Sequence, residues 1–333
     1  MKALKMIIIV ILSLAVTACG AVSPSGVSST GGKAASADPA ASKDQGKSDA
    51  AERTIKHAMG TTVLKKKPER VVVLFNGMND IIINLGVKPV GAVESWDQRP
   101  WYQYLRANME GVKNLGDEIQ PNVEAIIALK PDLIIGQKSR HEKIYPQLSS
   151  IAPTIIMEEL FDWKNNLKIS AEAMYKDDEA ARIIGDWDKR VAEFKQKAGD
   201  RLAKTEVSII RFEKDGSARA YSTGFAGSIF KELGLGRPKS QIVEGKTYLS
   251  ITSKEQMAQL DGDYIFDVTQ LSASDLSTEK TQNEWTSHPL WKNLKGAKNG
   301  KYFKVDAITW NLSGGSLAAK ALLDDLYKYF EIK

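Results

Sequence analysis

Short, unbroken apolar runs alternate along this chain with amphipathic and polar stretches. Residues 70–75 place Val71, Val72, Val73, Leu74 and Phe75 in succession and read as a buried strand. Residues 79–85 form a short amphipathic helix closed by Gly86, 90–93 a second strand, 133–135 a third entered through Pro131 and Asp132, and 154–157 a fourth. Short apolar strands separated by helical segments predict a mainly parallel sheet covered on both faces. The second half begins the same way, with a strand at 207–210 and a helix at 229–233 closed by Gly234. Strands at 264–266 and 302–305 follow, then a closing helix at 316–330. Between the halves, 178–203 lacks proline and places Ala180, Ile184, Trp187, Val191, Phe194, Ala198 and Leu202 at spacings of three and four. That is one face of a single long helix, about 39 Å at 1.5 Å per residue.

The halves echo one another. Glu124, Leu129, Asp132 and the strand after it line up with Glu255, Leu260, Asp263 and the strand after that. Upstream, Leu85-Gly86-Val87-Lys88-Pro89 is echoed by Leu233-Gly234-Leu235-Gly236-Arg237-Pro238. Two matches in the same order predict two α/β lobes of similar plan, Rossmann-like, with a long helix fixing their spacing. The lobes are expected at 54–165 and 205–333, with the interlobe helical segment at 166–204.

The first residues follow a different pattern. Lys2 and Lys5 precede an apolar run at 6–12, then Ser13 and a second run at 14–16, closing on Thr17, Ala18 and Cys19. A basic start, a short apolar core and small residues predict a secretory signal peptide at 1–18. The run is shorter than the roughly 20 apolar residues of a spanning helix. A cut before Cys19, in a pattern that resembles the bacterial lipobox, leaves that thiol to carry diacylglycerol. Cys19 is the single cysteine of the chain, and an unpaired thiol on an exported protein calls for a use. Residues 20–51 are mostly Gly, Ser, Ala, Asp and Lys, too polar to offset their ordering entropy. So 19–53 is expected to be a flexible lipidated tether, with a reach on the order of 30 Å.

Removing 1–18 takes away Lys2 and Lys5 and no acid, lowering the formal charge from +5 to +3. Nucleic-acid binding calls for clustered basic stripes. Only Lys65-Lys66-Lys67 qualifies, and it reads as a solvated hairpin edge. Beyond Cys19 no thiol remains for a disulfide or a thiolate metal site.

An enzyme finds little support. The chain has no G-x-S-x-G elbow, no P-loop and no G-x-G-x-x-G after a strand. His57, His141 and His288, the only histidines, are not in metal-binding spacing, so no catalytic residue and no protein metal ligand is expected. Arginines, however, sit just after predicted strand ends: Arg99, Arg140 and Arg211. In open parallel sheets the ligand crevice lies beyond the carboxyl ends of the strands. Guanidinium grips a carboxylate with two planar bonds that lysine cannot match. Aromatic residues attend the same loops, Trp96, Trp101, Tyr102, Tyr221, Phe225, Tyr248 and Trp310, and fit a pocket with apolar walls and a few aimed polar groups. Trp163 and Trp187 read as helix packing, and Trp285 and Trp291 as anchors of the turn at His288.

The lipobox, tether, paired lobes and long connecting helix resemble the substrate-binding lipoproteins of iron-siderophore ABC importers. Residues 122–135 and 252–256 look like that family's signatures in the first and second lobe. Residues 284–294 and 308–315 are similar to receptors for citrate-based siderophores of the staphyloferrin A and schizokinen type. The resemblance implies that Arg140 and His141 lie in a siderophore-contacting loop, with Arg211 and Tyr221 as second-lobe ligand positions. It also implies that Glu124 and Glu255 dock onto arginines of the permease, which works with a cytoplasmic ATPase. Iron(III) would keep its six sites filled by the siderophore, so no cofactor is expected. The implied protein is a monomeric receptor on the outer face of the cell membrane, held through Cys19, and a long tether suits a Gram-positive host. Other iron chelates stay open, catecholate or trihydroxamate, and haem through Tyr221 or Tyr248, as does an exported adaptor that binds a protein partner.

Overall fold

The structure is a computed structural model and describes residues 52–272 and 274–332. The expected signal peptide, Cys19 and nearly all of the expected tether lie outside the described residues. The fold opens on an antiparallel hairpin, β1 (Arg53–His57) and β2 (Gly60–Leu64), which docks on the first lobe. The Ala58 amide donates to the Ile156 carbonyl at 2.9 Å, and the Thr62 hydroxyl to the Thr154 carbonyl at 2.8 Å. Lys65, Lys66 and Lys67 follow β2 and are all exposed.

The first lobe is built on β3 (Val71–Val73), β4 (Gly91–Ala92), β5 (Lys113–Asn114), β6 (Leu133–Gln137) and β7 (Thr154–Met157). They form one parallel sheet in the order β5-β4-β3-β6-β7. Every residue of β3, β6 and β7 is buried, as strands covered on both faces require. The second lobe has β8 (Val207–Phe212), β9 (Ala218–Tyr221), β10 (Tyr248–Ile251), β11 (Tyr264–Asp267) and β12 (Tyr302–Lys304). Its order is β10-β9-β8-β11-β12, with β9 antiparallel to both neighbours and the other pairings parallel. The expected pair of mainly parallel α/β lobes is present.

The internal echo has a structural basis. Asp132 accepts the backbone amides of Glu69 and Arg70 at 2.9 and 2.7 Å, just before β3. Asp263 accepts the amide of Glu206 at 2.8 Å, just before β8. In each lobe, then, one aspartate ties the start of a central strand to the start of its neighbour. Asn122 caps the helix Val123–Leu129 and Ser253 caps Lys254–Leu260, so the polar residue before each glutamate is a helix start.

The interlobe helix runs Asp177–Ala198, about 33 Å at 1.5 Å per residue, and is shorter than the expected 178–203. Gly199, at φ 60°, takes a backbone that a helix cannot continue, and a short turn Arg201–Lys204 resumes beyond it. The predicted stripe holds: Ala180, Trp187, Val191, Phe194 and Ala198 are buried, and Ile184 partly so. A helix that the periodicity did not reveal, Trp163–Met174, precedes it. Trp163 and Trp187 meet edge-on with ring centroids 5.1 Å apart. Trp187 donates to Glu232 at 3.0 Å, and Lys164 bridges Asp188 at 2.7 Å and Glu232 at 2.5 Å. Phe194 packs edge-on against Tyr327 and Phe330 at the end of the chain. The rod is thus bolted to both lobes.

A second tie crosses the lobes. Asp80, on the first-lobe helix Asn76–Asn84, is fully buried and accepts the amides of Leu317 and Ala318 at 2.7 and 2.9 Å. These are free amides of the first turn of the closing helix Ser316–Tyr329, so a first-lobe carboxylate caps a helix that ends the second half of the chain. The Tyr104 hydroxyl adds a third donor at 2.7 Å. Gly315 approaches Asp80 so closely that a Cβ there would collide with its side chain.

Candidate functional site

The strands of the two sheets end at a cleft between the lobes, with a cavity of about 870 Å³. Its first-lobe wall comes from residues just past strand ends: Phe75 and Asn76 after β3, Trp96 and Asp97 after β4, and Arg140 after β6. Its second-lobe wall comes from Arg211, Glu213, Arg219, Tyr221 and Tyr248 on and around the β8–β9–β10 unit. Leu160, Phe161, Asn311 and Leu312 line it as well. The position matches the crevice rule for open α/β sheets.

Arg140 is placed from below. β6 ends at Gln137, whose side-chain oxygen accepts the Ser139 hydroxyl at 2.7 Å and the Arg140 amide at 3.2 Å, capping a one-turn helix. The Nε of Arg140 lies 3.3 Å from Glu118 Oε1. Glu118 is nearly fully buried, and its Oε2 accepts from the backbone and side chain of Asn76 at 3.0 and 2.8 Å. One buried carboxylate thus fixes the first helix and the guanidinium together.

In the second lobe the hairpin register places Arg211 directly opposite Arg219. Glu213, two residues beyond Arg211 and therefore on the same face, has its Oε1 3.2 Å from Arg211 Nε and 3.0 Å from Arg219 Nε. Both contacts are ion pairs lying off the hydrogen-bond line. The Arg219 guanidinium also lies over the Tyr248 ring, 4.3 Å from its centroid and within the roughly 6 Å reach of a cation–π contact. Among the described residues, the Nη groups of Arg140, Arg211 and Arg219 make no hydrogen bond, so three guanidinium forks from both lobes are open toward one cavity.

The cleft therefore gathers Arg140, Arg211, Trp96, Tyr221 and Tyr248 from the residues singled out in the sequence. It does not gather the other six, of which Tyr102 and Phe225 are fully buried in the core. Arg99 points to solvent and pairs with Glu94 at 2.7 Å. Trp101 is buried against the first-lobe core. Trp310 is a core residue with no exposed surface, its indole donating to Asp325 at 2.8 Å and its ring packed on Phe266 and Phe230. His141 is also fully buried, its Nδ1 accepting the Gln137 amide at 3.0 Å and its Nε2 facing the Glu118 carbonyl at 2.9 Å. Burial pulls its pKa below the ordinary 6.5, so the ring is a neutral brace between the Arg140 loop and Glu118.

Glu118, Glu213 and Arg219 were not singled out. Arg219 was within reach: the Asp215-Gly216 turn between two alternating runs predicts a hairpin, and a hairpin pairs Arg219 with Arg211. Glu118 lies in an irregular loop, where no periodicity marks it. Among the described residues no group of three or more His, Cys, Asp or Glu side chains is arranged to hold a metal ion.

The sequence profile described as periplasmic binding protein (Peripla_BP_2) matches residues 71–309. The chain belongs to this family. It is 47% identical over 290 residues to the probable siderophore-binding lipoprotein YfiY of Bacillus subtilis (strain 168), covering 85% of this chain and 89% of the relative. It is 33% identical over 294 residues to the Fe(3+)-citrate-binding protein YfmC of the same organism, covering 85% and 88%. Among solved structures it is similar to Staphylococcus aureus SirA complexed with staphyloferrin B, with a TM-score of 0.79 at 42% identity over 84% of this chain and 99% of that one.

Periplasmic binding proteins are receptors that hand cargo on, and the two glutamates of the repeat lie where a partner can reach them. Glu124 and Glu255 are exposed in the first turns of Val123–Leu129 and Lys254–Leu260. Each helix crosses between two parallel strands, from β5 to β6 and from β10 to β11, and so runs back against them. Its first turn therefore lies at the strands' carboxyl end, the end at which the cleft opens.

Proposed function

We propose that this protein is the extracytoplasmic receptor of an ABC importer and carries a ferric siderophore of the citrate-based class in the interlobe cleft. The observation that carries the reading is the convergence of Arg140, Arg211 and Arg219 from both lobes on one cavity, each with its Nη groups uncommitted. Such forks suit a chelate that presents several carboxylate or hydroxamate oxygens. Tyr221, Tyr248, Phe161 and Trp96 supply the apolar walls. Relatives named for siderophore and ferric citrate binding support the same cargo. Iron belongs to the cargo, held by the chelator, and the protein acts as a receptor without catalysing a reaction.

Glu124 and Glu255 are the proposed docking points for the permease, one from each lobe. Cys19 is the proposed lipid anchor, with 19–53 as the tether and the outer face of the membrane as the location. Among the described residues no helix is long and apolar enough to cross a membrane. The test is a titration of the pure protein with ferric chelates, followed by tryptophan fluorescence, with Trp96 in the cleft as reporter. Ferric citrate-carboxylate or citrate-hydroxamate complexes should quench it at submicromolar concentration, and iron salts without chelator should not bind specifically. Failure of every anionic ferric chelate, together with tight binding of cobalamin or free zinc, would sink the reading.

A further inference from the structure

The cleft is rich in guanidinium forks but poor in net positive charge. Arg140 has Glu118 on its Nε, and Arg211 and Arg219 share Glu213. Lys214, the remaining cation of the wall, is taken by Asp275 at 2.5 Å. Asp97 adds a further carboxylate at the first-lobe wall. Three guanidiniums thus face two buried or half-buried carboxylates and one more beside them, and the wall as a whole carries at most one uncompensated positive charge. Without Glu213, two like charges would stand directly opposite one another across β8 and β9. That is an unfavourable pairing in a sheet.

We infer that Glu118 and Glu213 are counter-charges that set the cargo's net charge, tuning the cleft for a ferric citrate chelate with hydroxamate arms over chelates built from carboxylates alone. The inference rests on the siderophore reading and narrows it. Hydrogen bonding and net charge are separate demands here: the Nη groups can grip oxygen atoms whatever the overall charge, while the field of the cleft senses the total. Iron(III) held by two hydroxamates and one doubly ionised hydroxycarboxylate carries a single net negative charge. Chelates whose donors are all carboxylate and alkoxide, or that keep further carboxylates free, carry several. In a partly desolvated cleft each charge that the wall does not balance opposes binding.

The test uses the full chain in detergent and two probes: the ferric complex of citrate bearing two hydroxamate arms, and ferric dicitrate. The wild type should prefer the first by about tenfold or more. Glu213→Gln raises the cleft charge by one and should shift that ratio toward ferric dicitrate by about tenfold. Asp97→Asn, at a carboxylate that pairs with none of the three guanidiniums, should shift it the same way by less, and it covers the case in which Glu213→Gln fails to fold. A residue that merely supports the fold would weaken both probes equally. A wild-type preference for ferric dicitrate, or a ratio unmoved in folded Glu213→Gln or Asp97→Asn protein, overturns the inference while leaving the siderophore reading standing. Binding of neither probe also overturns the inference, while the siderophore reading then stands or falls on the titration with the wider set of ferric chelates.

Discussion

Arg140 keeps its Nε on Glu118 and offers only its Nη groups to the cleft, so it has one part in ligand binding and another in the fold. Arg140→Ala should weaken binding of an anionic ferric chelate by about 2–4 kcal/mol, the range for losing charge-assisted bonds in a largely dry site. The melting temperature should fall as well, because the buried Glu118 loses its cationic partner, so affinity is compared at a temperature where the variant is folded. Unchanged affinity in a fluorescence titration would reduce it to a surface charge. Its neighbour His141 belongs to the scaffold. Burial lowers its pKa from 6.5, so the unfolded chain takes up this proton before the folded one does. The stability it contributes is full above pH 6.5 and is lost as pH falls through the folded value. Asp80 and Asp267 act with the opposite sign, since burial raises both carboxyls and their contribution is lost as pH rises. The informative comparison is therefore between variants. Between pH 7 and 5, His141→Gln should show a smaller fall in unfolding free energy than the wild type by denaturant titration, and an identical slope would contradict the buried neutral ring.

At the scale of elements, legibility followed burial. β3, β6, β7, β8 and β11 are almost wholly buried and carry short apolar runs in the sequence, which makes them readable. β5 and β10 are edge strands with exposed positions and no such run, and β9 is visible only through the turn that precedes it. The helix Trp163–Met174 buries Asn166 and Ser170 on its inner face, so polar residues broke the period that would have revealed it. The same logic explains the cleft. Aromatic residues near strand ends looked alike in sequence, yet Trp310 and Trp101 fill the core while Trp96 lines the cavity, because only packing partners decide which way a ring turns. The clearest test at this scale is the Asp80 cap. Gly315→Ala keeps an allowed backbone but drives a methyl into Asp80, so it should destabilise the fold by about 1–3 kcal/mol. A denaturation midpoint equal to that of the wild type would show that the closing helix is not held as tightly as this contact requires.

For the whole molecule, two independent ties constrain the lobes: the interlobe helix, packed on both, and the Asp80 cap on the closing helix. Wide scissoring would have to bend the rod or strip its buried stripe, both costly. Free and chelate-bound protein should therefore give nearly superposable scattering profiles, and a wide-open free state would contradict this. A receptor whose lobes move little still has to tell its permease that it is in the right arrangement, and the repeat supplies a means. Glu124 and Glu255 open equivalent helices, are exposed, and lie at the strand ends where the cleft opens, one on each lobe. Each exposed ion pair with a partner is weak by itself. Two that are linked through one rigid body reinforce each other through effective concentration, but only if their spacing fits the partner. Neither glutamate lines the cleft, so charge reversal at both should leave chelate affinity in solution at the wild-type value. The same Glu124→Arg, Glu255→Arg double variant should abolish siderophore-dependent growth and stimulation of the importer ATPase, with each single variant retaining part of both. Normal uptake by the double variant, or a loss of chelate binding instead, would show that the two carboxylates are ordinary first-turn helix charges and that docking lies elsewhere.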